Sequence, residues 1–258
     1  MKTVIAELVD DCYLQCALCW NRGASGRQMS LTTIAKILKK YDSDEISWFN
    51  WGEPLLHKEF EAFARMAGRS NAKNIMSSSM SLPVSDERLR SLRNFDDVCV
   101  SVSGMTPDVY NIYHTNGNFD LVMKNLRRLA QLKLKNVKFK WLTHKHNVFQ
   151  LSEARRFAEG LGFKFAPIEL NCCVEDLMGG FDHELLRFPK FPRKQHFCHL
   201  RYWDVIDVDG NHLLCCASHN VKIGYSVDDK VSNRELRGAK SKTALCETCS
   251  KNEYWRMF

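Results

Sequence analysis

Short apolar runs alternate along this chain with stretches whose apolar residues recur every three or four positions. The runs predict strands at Thr3–Val9, Glu45–Asn50, Asn74–Ser78, Val98–Ser103, Val137–Leu142 and Lys164–Ile168. The helical spacing predicts Leu31–Tyr41, where Ile34, Ile37 and Leu38 share a face. It predicts further helices at Glu59–Arg69, Asp86–Leu92, Pro107–His114, Phe119–Leu132 and Leu151–Leu161. Pro107 with Asp108 suits a helix start, and Gly160 with Gly162 a helix end. Six strands with intervening helices imply an α/β fold: a partial (β/α)6 TIM-like barrel, a curled parallel sheet with ligands at the C-terminal ends of its strands. Residues 171–197, with Gly179-Gly180, Pro189, Pro192 and a basic run, break the rhythm and read as a linker. Beyond them, Trp203–Val208 and His212–Cys215 flank Asp209-Gly210-Asn211, the signal of a hairpin. The expected division is a core over residues 1–190 and a small hairpin-plus-helix domain over residues 191–258.

With 258 residues, 45% of them hydrophobic, the chain can bury a sizeable core. Eleven cysteines are many for this length. The first apolar run is short and broken by Glu7, so it reads as a strand rather than a secretion signal. No apolar stretch is long enough to span a bilayer. The expected location is the reducing cytoplasm, where clustered cysteines more often bind metal than pair. The net charge of +7 reads first as a solvated basic surface, as at Arg127-Arg128 and Lys133–Lys135. The sharper reading is attraction of an anionic substrate bearing phosphate or a nucleotide. No nucleic-acid recognition motif is present.

Cys12, Cys16 and Cys19 are spaced C-x3-C-x2-C in the loop after the first strand. Three thiolates in one short loop can hold three irons of a four-iron–four-sulfur (4Fe-4S) cluster. The fourth iron is then open to a substrate or cofactor, whereas ordinary electron-transfer clusters are held by four cysteines. Zinc is the rival reading, but it takes four ligands, often as C-x2-C pairs, and no fourth ligand is near.

Two further segments accompany this motif in order: Asn50-Trp51-Gly52-Glu53-Pro54 after the second strand, and Ser101-Val102-Ser103-Gly104 on the fourth. Together they resemble the radical S-adenosylmethionine (radical SAM) superfamily, with Trp51 in place of the first glycine of its Gly-Gly-Glu-Pro motif. The resemblance implies S-adenosylmethionine on the open iron and an electron donor such as flavodoxin or ferredoxin. One electron then cleaves the sulfonium, and the 5′-deoxyadenosyl radical formed abstracts hydrogen from a substrate carbon. It implies cofactor contacts at Trp51, Gly52, Glu53, Pro54, Ser77, Ser78, Ser101, Ser103 and Lys140. Leu18 stands where many relatives carry an aromatic residue against adenine. Alternation puts Cys99, Ser101 and Ser103 on one face of strand four, toward the lumen, and Val98, Val100 and Val102 on the other, toward helices. Lys138, Lys140 and Leu142 share a face of strand five, and a lumenal Lys140 needs an anion. The plainer readings are a helix N-terminal acid for Glu53, a solvated face for Lys140, and caps or turns for the serines.

Cys198, eleven residues, Gly210, four residues and Cys215 are followed by Cys246-Glu-Thr-Cys249. This resembles the Twitch form of the superfamily's SPASM/Twitch extension. It implies an auxiliary 4Fe-4S cluster on Cys198, Cys215, Cys246 and Cys249, with Cys216 as a substitute for Cys215; a structural zinc site is the rival. A fully ligated cluster suits electron passage and holding the segment folded. Of the remaining thiols, Cys99 reads as a small buried residue. Cys172, Cys173 and Cys216 are candidate hydrogen donors to a substrate radical. His144, with Lys145 and His146, is a candidate base or phosphate ligand after strand five, or part of a polar loop. Arg187, Lys190, Arg193 and Lys194 read as a phosphate-contacting lid or a solvated linker.

The first cluster cysteine lies twelve residues in, too early for a preceding peptide-recognition domain, which favours a small-molecule substrate. The expected activity is that of a radical SAM oxidoreductase or epimerase acting on a sugar, an aminocyclitol or a nucleotide-linked sugar. In plan the chain is similar to an aminocyclitol dehydrogenase of the superfamily. The alternatives are a peptide-modifying (RiPP maturation) enzyme of the same superfamily and, from another class, a zinc-stabilised non-catalytic binding protein.

Overall fold

Alternating apolar residues make strands with one face for helices, and those strands form a single sheet. The computed structural model describes residues 2–17, 19, 25–169, 202–216 and 221–241. Six parallel strands run in sequence order: β1 (Thr3–Ala6), β2 (Glu45–Ser47), β3 (Lys73–Ser78), β4 (Asp97–Val102), β5 (Val137–Thr143) and β6 (Lys164–Glu169). Between them lie α1 (Leu31–Lys40), α2 (Phe60–Ala67), α3 (Asp86–Ser91), α4 (Pro107–Tyr113), α5 (Phe119–Gln131) and α6 (Leu151–Gly160). The expected α/β fold with a parallel six-stranded sheet is therefore present. Several helices start on a hydroxyl or amide cap: Ser30, Ser85 and Asn118 accept from the amides of Thr33, Arg88 and Leu121.

The core fills the space between the sheet and its helices. Val4, Ile46, Met76, Val98, Val100, Val102, Phe139 and Trp141 from the strands meet Ile34, Ile37, Phe63, Leu126 and Ala154 from the helices. The valines of β4 thus face helices, as alternation requires.

β1 and β2 end earlier than the apolar pattern suggests. After Ala6 the chain leaves the ladder, and Val9 forms an antiparallel bridge with Gln28 instead. β2 stops at Ser47 and turns into the Gly52 loop.

β7 (Asp204–Ile206) pairs in parallel with the free edge of β1, and β8 (Asn211–Leu213) and β9 (Lys222–Ser226) follow antiparallel. The hairpin segment thus continues the sheet. Ile206 and Val227 join the main core, while Val205 and Leu213 pack on Ile5 at the opposite face, with Trp203 and Cys216 beside them. Asp204 seals the junction, accepting from Lys2 Nζ at 2.7 Å and from the Tyr41 hydroxyl at 2.9 Å. α7 (Asn233–Ser241) carries the buried Lys240, whose ammonium donates to the Trp203 carbonyl.

One contact shows that the sheet curls. Lys140 on β5 lies 4.9 Å from the ring centroid of Phe49, which follows β2, so the contact crosses β3 and β4 on the concave side. At the N-terminal end of the strands, Glu45, Lys73, Asp97 and Lys138 form a chain of ion pairs at 2.7, 3.5 and 2.9 Å. Among the described residues, no helix is long and apolar enough to cross a membrane.

Candidate active site

The loop bearing Cys12, Cys16 and Cys19 leaves β1 at the C-terminal end of the sheet and is pinned from two sides. On one side the Gln15 and Ala17 amides donate to the carbonyls of Thr115 and Tyr113, at the end of α4, each at 3.0 Å. Beneath it, the Glu53 amide donates to the Asp11 carbonyl at 2.8 Å. Gly52 is pressed against the same backbone: a Cβ there would stand 1.8 Å from the Val9 oxygen, so only glycine fits. Within the loop the Cys19 amide donates to the Cys16 carbonyl at 3.1 Å, and the Cys19 thiol approaches the Trp51 carbonyl, at 4.0 Å.

Two buried carboxylates set the height of this floor. Glu7, 7% exposed, accepts from the Trp51 and Gly52 amides, both at 2.8 Å. Burial pushes its carboxyl up to about 7, although those two amides pull it down. Glu53, 3% exposed, caps the turn over Pro54–Leu56 through the Leu55 amide and also takes both the amide and the hydroxyl of Ser79, at 2.9 and 2.8 Å. Ser79 Oγ shares a 3.0 Å hydrogen bond with the Tyr13 hydroxyl. With the Ser79 proton directed to Glu53, Tyr13 is the donor of that pair. Asp11, Glu53, Ser79 and Tyr13 therefore close a circuit that starts and ends on the cysteine loop. Glu7, Tyr13 and Ser79 were missed by sequence reasoning. A carboxylate interrupting an apolar strand was the one available signal.

The three thiols suit a soft metal cluster. Burial pushes Cys12 up to about 12 and Cys16 well above the usual thiol range, with the neighbouring cysteines adding to the rise. Such thiols stay protonated unless a metal replaces the proton. Among the described residues no three His, Cys, Asp or Glu side chains converge on a single ion. A cubane does not need them to, because each iron takes its own thiolate. The donor set and the close backbone approach at Gly52 fit a 4Fe-4S cluster with S-adenosylmethionine beside it.

The other candidate positions separate into two groups. Ser77 pairs in register with Cys99, and Ser101 with Lys140, which puts both serines on the lumen face. Ser78 instead accepts from the Met80 amide, as a turn residue. Ser103 differs from the lumenal expectation: it is fully buried, its hydroxyl 3.1 Å from His114 Nδ1 and 3.4 Å from the Tyr110 carbonyl, beneath α4. Gly104 lets that helix approach, since a Cβ there would meet Tyr110 N at 2.2 Å. His144 is buried after β5, its Nδ1 accepting from the His146 amide, and burial holds it neutral, down to about 4. Pro54 is buried in its turn, and Cys216 packs beside Ile5, Val205 and Leu213. Cys215 directly follows Leu214, whose amide bonds to Val221. Leu18, Cys172, Cys173, Cys198, Cys246, Cys249, Arg187, Lys190, Arg193 and Lys194 lie outside the described residues.

A model of the radical SAM superfamily matches residues 7–158. Among curated proteins the chain is similar to a "Probable GTP 3′,8-cyclase" of Methanococcus aeolicus, 24% identical over 186 residues, 66% of this chain. The chain spans 61% of the length of that relative. Among solved structures it resembles anSMEcpe with bound AdoMet, with a TM-score of 0.69 at 12% identity over 96% of this chain and 88% of that one. It also resembles SuiB of Streptococcus suis bound to S-adenosylmethionine, with a TM-score of 0.67 at 14% identity over 97% and 71% of the two chains. At these identities the structural likeness is one of fold.

Proposed function

Because this chain belongs to the radical SAM superfamily, whose model covers Glu7 to Ala158, we propose that it is an oxidoreductase or epimerase that takes hydrogen from a small polar substrate held in the lumen. A sugar, an aminocyclitol or a nucleotide-linked sugar suits the hydroxyl-lined wall of Ser77 and Ser101 beside Lys140. The observation that carries the reading is the three-thiol loop locked onto the Gly52–Glu53 turn at the C-terminal end of the sheet.

When bound, a 4Fe-4S cluster with S-adenosylmethionine supplies one-electron cleavage of the sulfonium and a carbon-centred radical. The protein's own residues bind and orient. Cys12, Cys16 and Cys19 would hold three of the cluster's irons. The circuit through Asp11, Glu53, Ser79 and Tyr13 keeps the loop at a fixed height over the lumen. Ser77, Ser101 and Lys140 offer donors to the bound molecules. The ion-paired band of Glu45, Lys73, Asp97 and Lys138 closes the far end of the lumen. Cys215, with Cys198, Cys246 and Cys249, would hold an auxiliary 4Fe-4S cluster, which would supply a one-electron acceptor for a dehydrogenation. In an epimerisation, Cys216, Cys172 or Cys173 returns a hydrogen atom.

The test is anaerobic reconstitution followed by incubation with reductant, S-adenosylmethionine and a panel of sugars, nucleotide sugars and aminocyclitols. We expect substrate-dependent 5′-deoxyadenosine, abolished when Cys12, Cys16 and Cys19 are all changed to Ala. Zinc with almost no iron or sulfide in anaerobically purified protein, or full turnover by the triple variant, overturns the reading. A second reading, modification of a peptide, draws on the complexes of anSMEcpe with a Cp18Cys peptide and of SuiB with the precursor peptide SuiA. Turnover on a peptide and none on the panel would select it.

A further inference from the structure

The outer wall of the cysteine loop is also the wall of a cleft. Two main-chain hydrogen bonds bracket Cys16: the Gln15 amide donates to the Thr115 carbonyl and the Ala17 amide to the Tyr113 carbonyl, each at 3.0 Å. Thr115 and the residues after it line a cleft of about 700 Å³ together with the start of α4. Pro107 and Asn111 stand on the α4 side, and Thr115, Asn116, Asn118 and Asp120 on the other. All six are exposed, as is Gln15, so the loop reaches the surface at the edge of the cleft.

Behind the cleft the packing runs inward to the thiols. Phe119 lines the cleft and packs on Tyr110, with ring centroids 5.7 Å apart. Gly117 admits that ring, since a Cβ there would stand 2.4 Å from Tyr110 Cε1. Tyr110 is fully buried. Burial raises its phenol; the Ser81 hydroxyl opposes the rise, and Cys16, Glu53 and Cys12 add to it. The cleft therefore reaches Cys16 through hydrogen-bonded backbone and packed rings. Beneath the loop, the Gly52–Glu53 turn is pressed against the Val9 and Asp11 backbone and leaves no room for a partner. The lumen is kept for the bound molecules. Each sulfonium cleaved needs one electron from outside. A carrier that delivers it must stop near a cluster thiol without entering the lumen, and electron-transfer encounters are small.

We propose that the cleft between α4 and the first turn of α5 is the docking surface of a one-electron carrier protein, and that the electron enters on the Cys16 side of the loop. One electron leaves the carrier, which is oxidised, and reduces the cluster; no bond forms or breaks in this step. The inference rests on the radical reading of the site and adds a partner and its place.

The test gives reconstituted full-length protein two reductants, a reduced flavodoxin and dithionite. The freeze-quenched paramagnetic resonance signal of the reduced cluster yields the rate with each. Asn111→Trp fills the cleft from α4 and should slow reduction by flavodoxin about tenfold or more, with the dithionite rate unchanged. Asp120→Trp fills it from α5 and should act in the same direction. Titration calorimetry should show weaker flavodoxin binding by both variants. Iron content and circular dichroism check that each is folded and loaded. No reduction of the wild type by flavodoxin, equal slowing with both reductants, or an unchanged flavodoxin rate in both variants overturns the proposal. An unchanged flavodoxin rate with an altered oligomeric state in light scattering overturns it in favour of a second copy of this chain. Formation of 5′-deoxyadenosine by the wild type with dithionite tests the radical reading independently.

Discussion

The two ends of the lumen both carry buried or half-buried acids, yet they use them differently. At the lower end, Glu45 and Asp97 face Lys73 and Lys138, so charge is matched by charge. At the upper end, Glu7 and Glu53 face backbone N–H groups of the loops that form the site. The lysines there are long and partly exposed and can adjust, so each pair contributes little. A carboxylate shared between two amides fixes where those amides are. The lower end closes the fold, and the upper end sets coordinates for chemistry.

The largest expected effect tests the upper end directly. Gly52→Ala would drive a Cβ into the Val9 carbonyl and should cost about 3 kcal/mol or more. Chemical denaturation and the iron retained after reconstitution would measure it. Wild-type stability with full iron content would show that the two backbones are not locked together.

Glu7→Gln keeps an oxygen for both amides and removes the titration. The Glu7 carboxyl is raised from 4.5 to about 7, so its contribution to stability is complete below 4.5 and is lost as pH rises through about 7. The variant should therefore gain on the wild type over that interval, by about 1–3 kcal/mol at pH 8. Urea unfolding at pH 5 and pH 8 checks this, and an equal gap at both would refute it. His114 acts with the opposite sign: burial lowers it from 6.5 to about 3, so its contribution is present above 6.5 and lost as pH falls toward 3.

Ser79→Ala removes a hydroxyl from the buried Glu53 carboxylate and from Tyr13, and should cost about 1–2 kcal/mol. It should also slow 5′-deoxyadenosine formation, and Ser79→Thr should recover part of the rate. A loss of stability with the rate untouched would confine the circuit to folding. The smallest effect belongs to the lower end. Lys73→Met leaves Asp97 with Lys138 and should cost about 1 kcal/mol or less, with the radical chemistry unchanged.

The sequence made the parallel αβ order legible, because two-residue alternation and helical spacing are local. The C-x3-C-x2-C loop was legible for the same reason, since its three thiols lie within eight residues. What escaped depends on contacts between distant segments. In the run Ser77-Ser78-Ser79, alternation gives each residue's face but not the turn that brings Ser79 to Glu53. Glu7 read as a flaw in a strand, because nothing nearby announces the amides of residues 51 and 52. Ser103 was aimed at the lumen by extending the period of β4 one residue past its end, where the chain had already turned under α4. The meeting of Phe49 with Lys140 needed the curvature of the sheet, which no local pattern records.

The parallel pairing of β1 with β7 bears on how the molecule is made. Lys2 and Asp204 are 202 positions apart, so β1 keeps one edge open until most of the chain has left the ribosome. Contacts of such separation form late, and an open edge invites pairing with other chains in the meantime. The thiol loop grows out of that same strand, but its own partners at residues 51–53, 79 and 113–115 all lie in the first half of the chain, so the loop can settle while the edge beside it is still open.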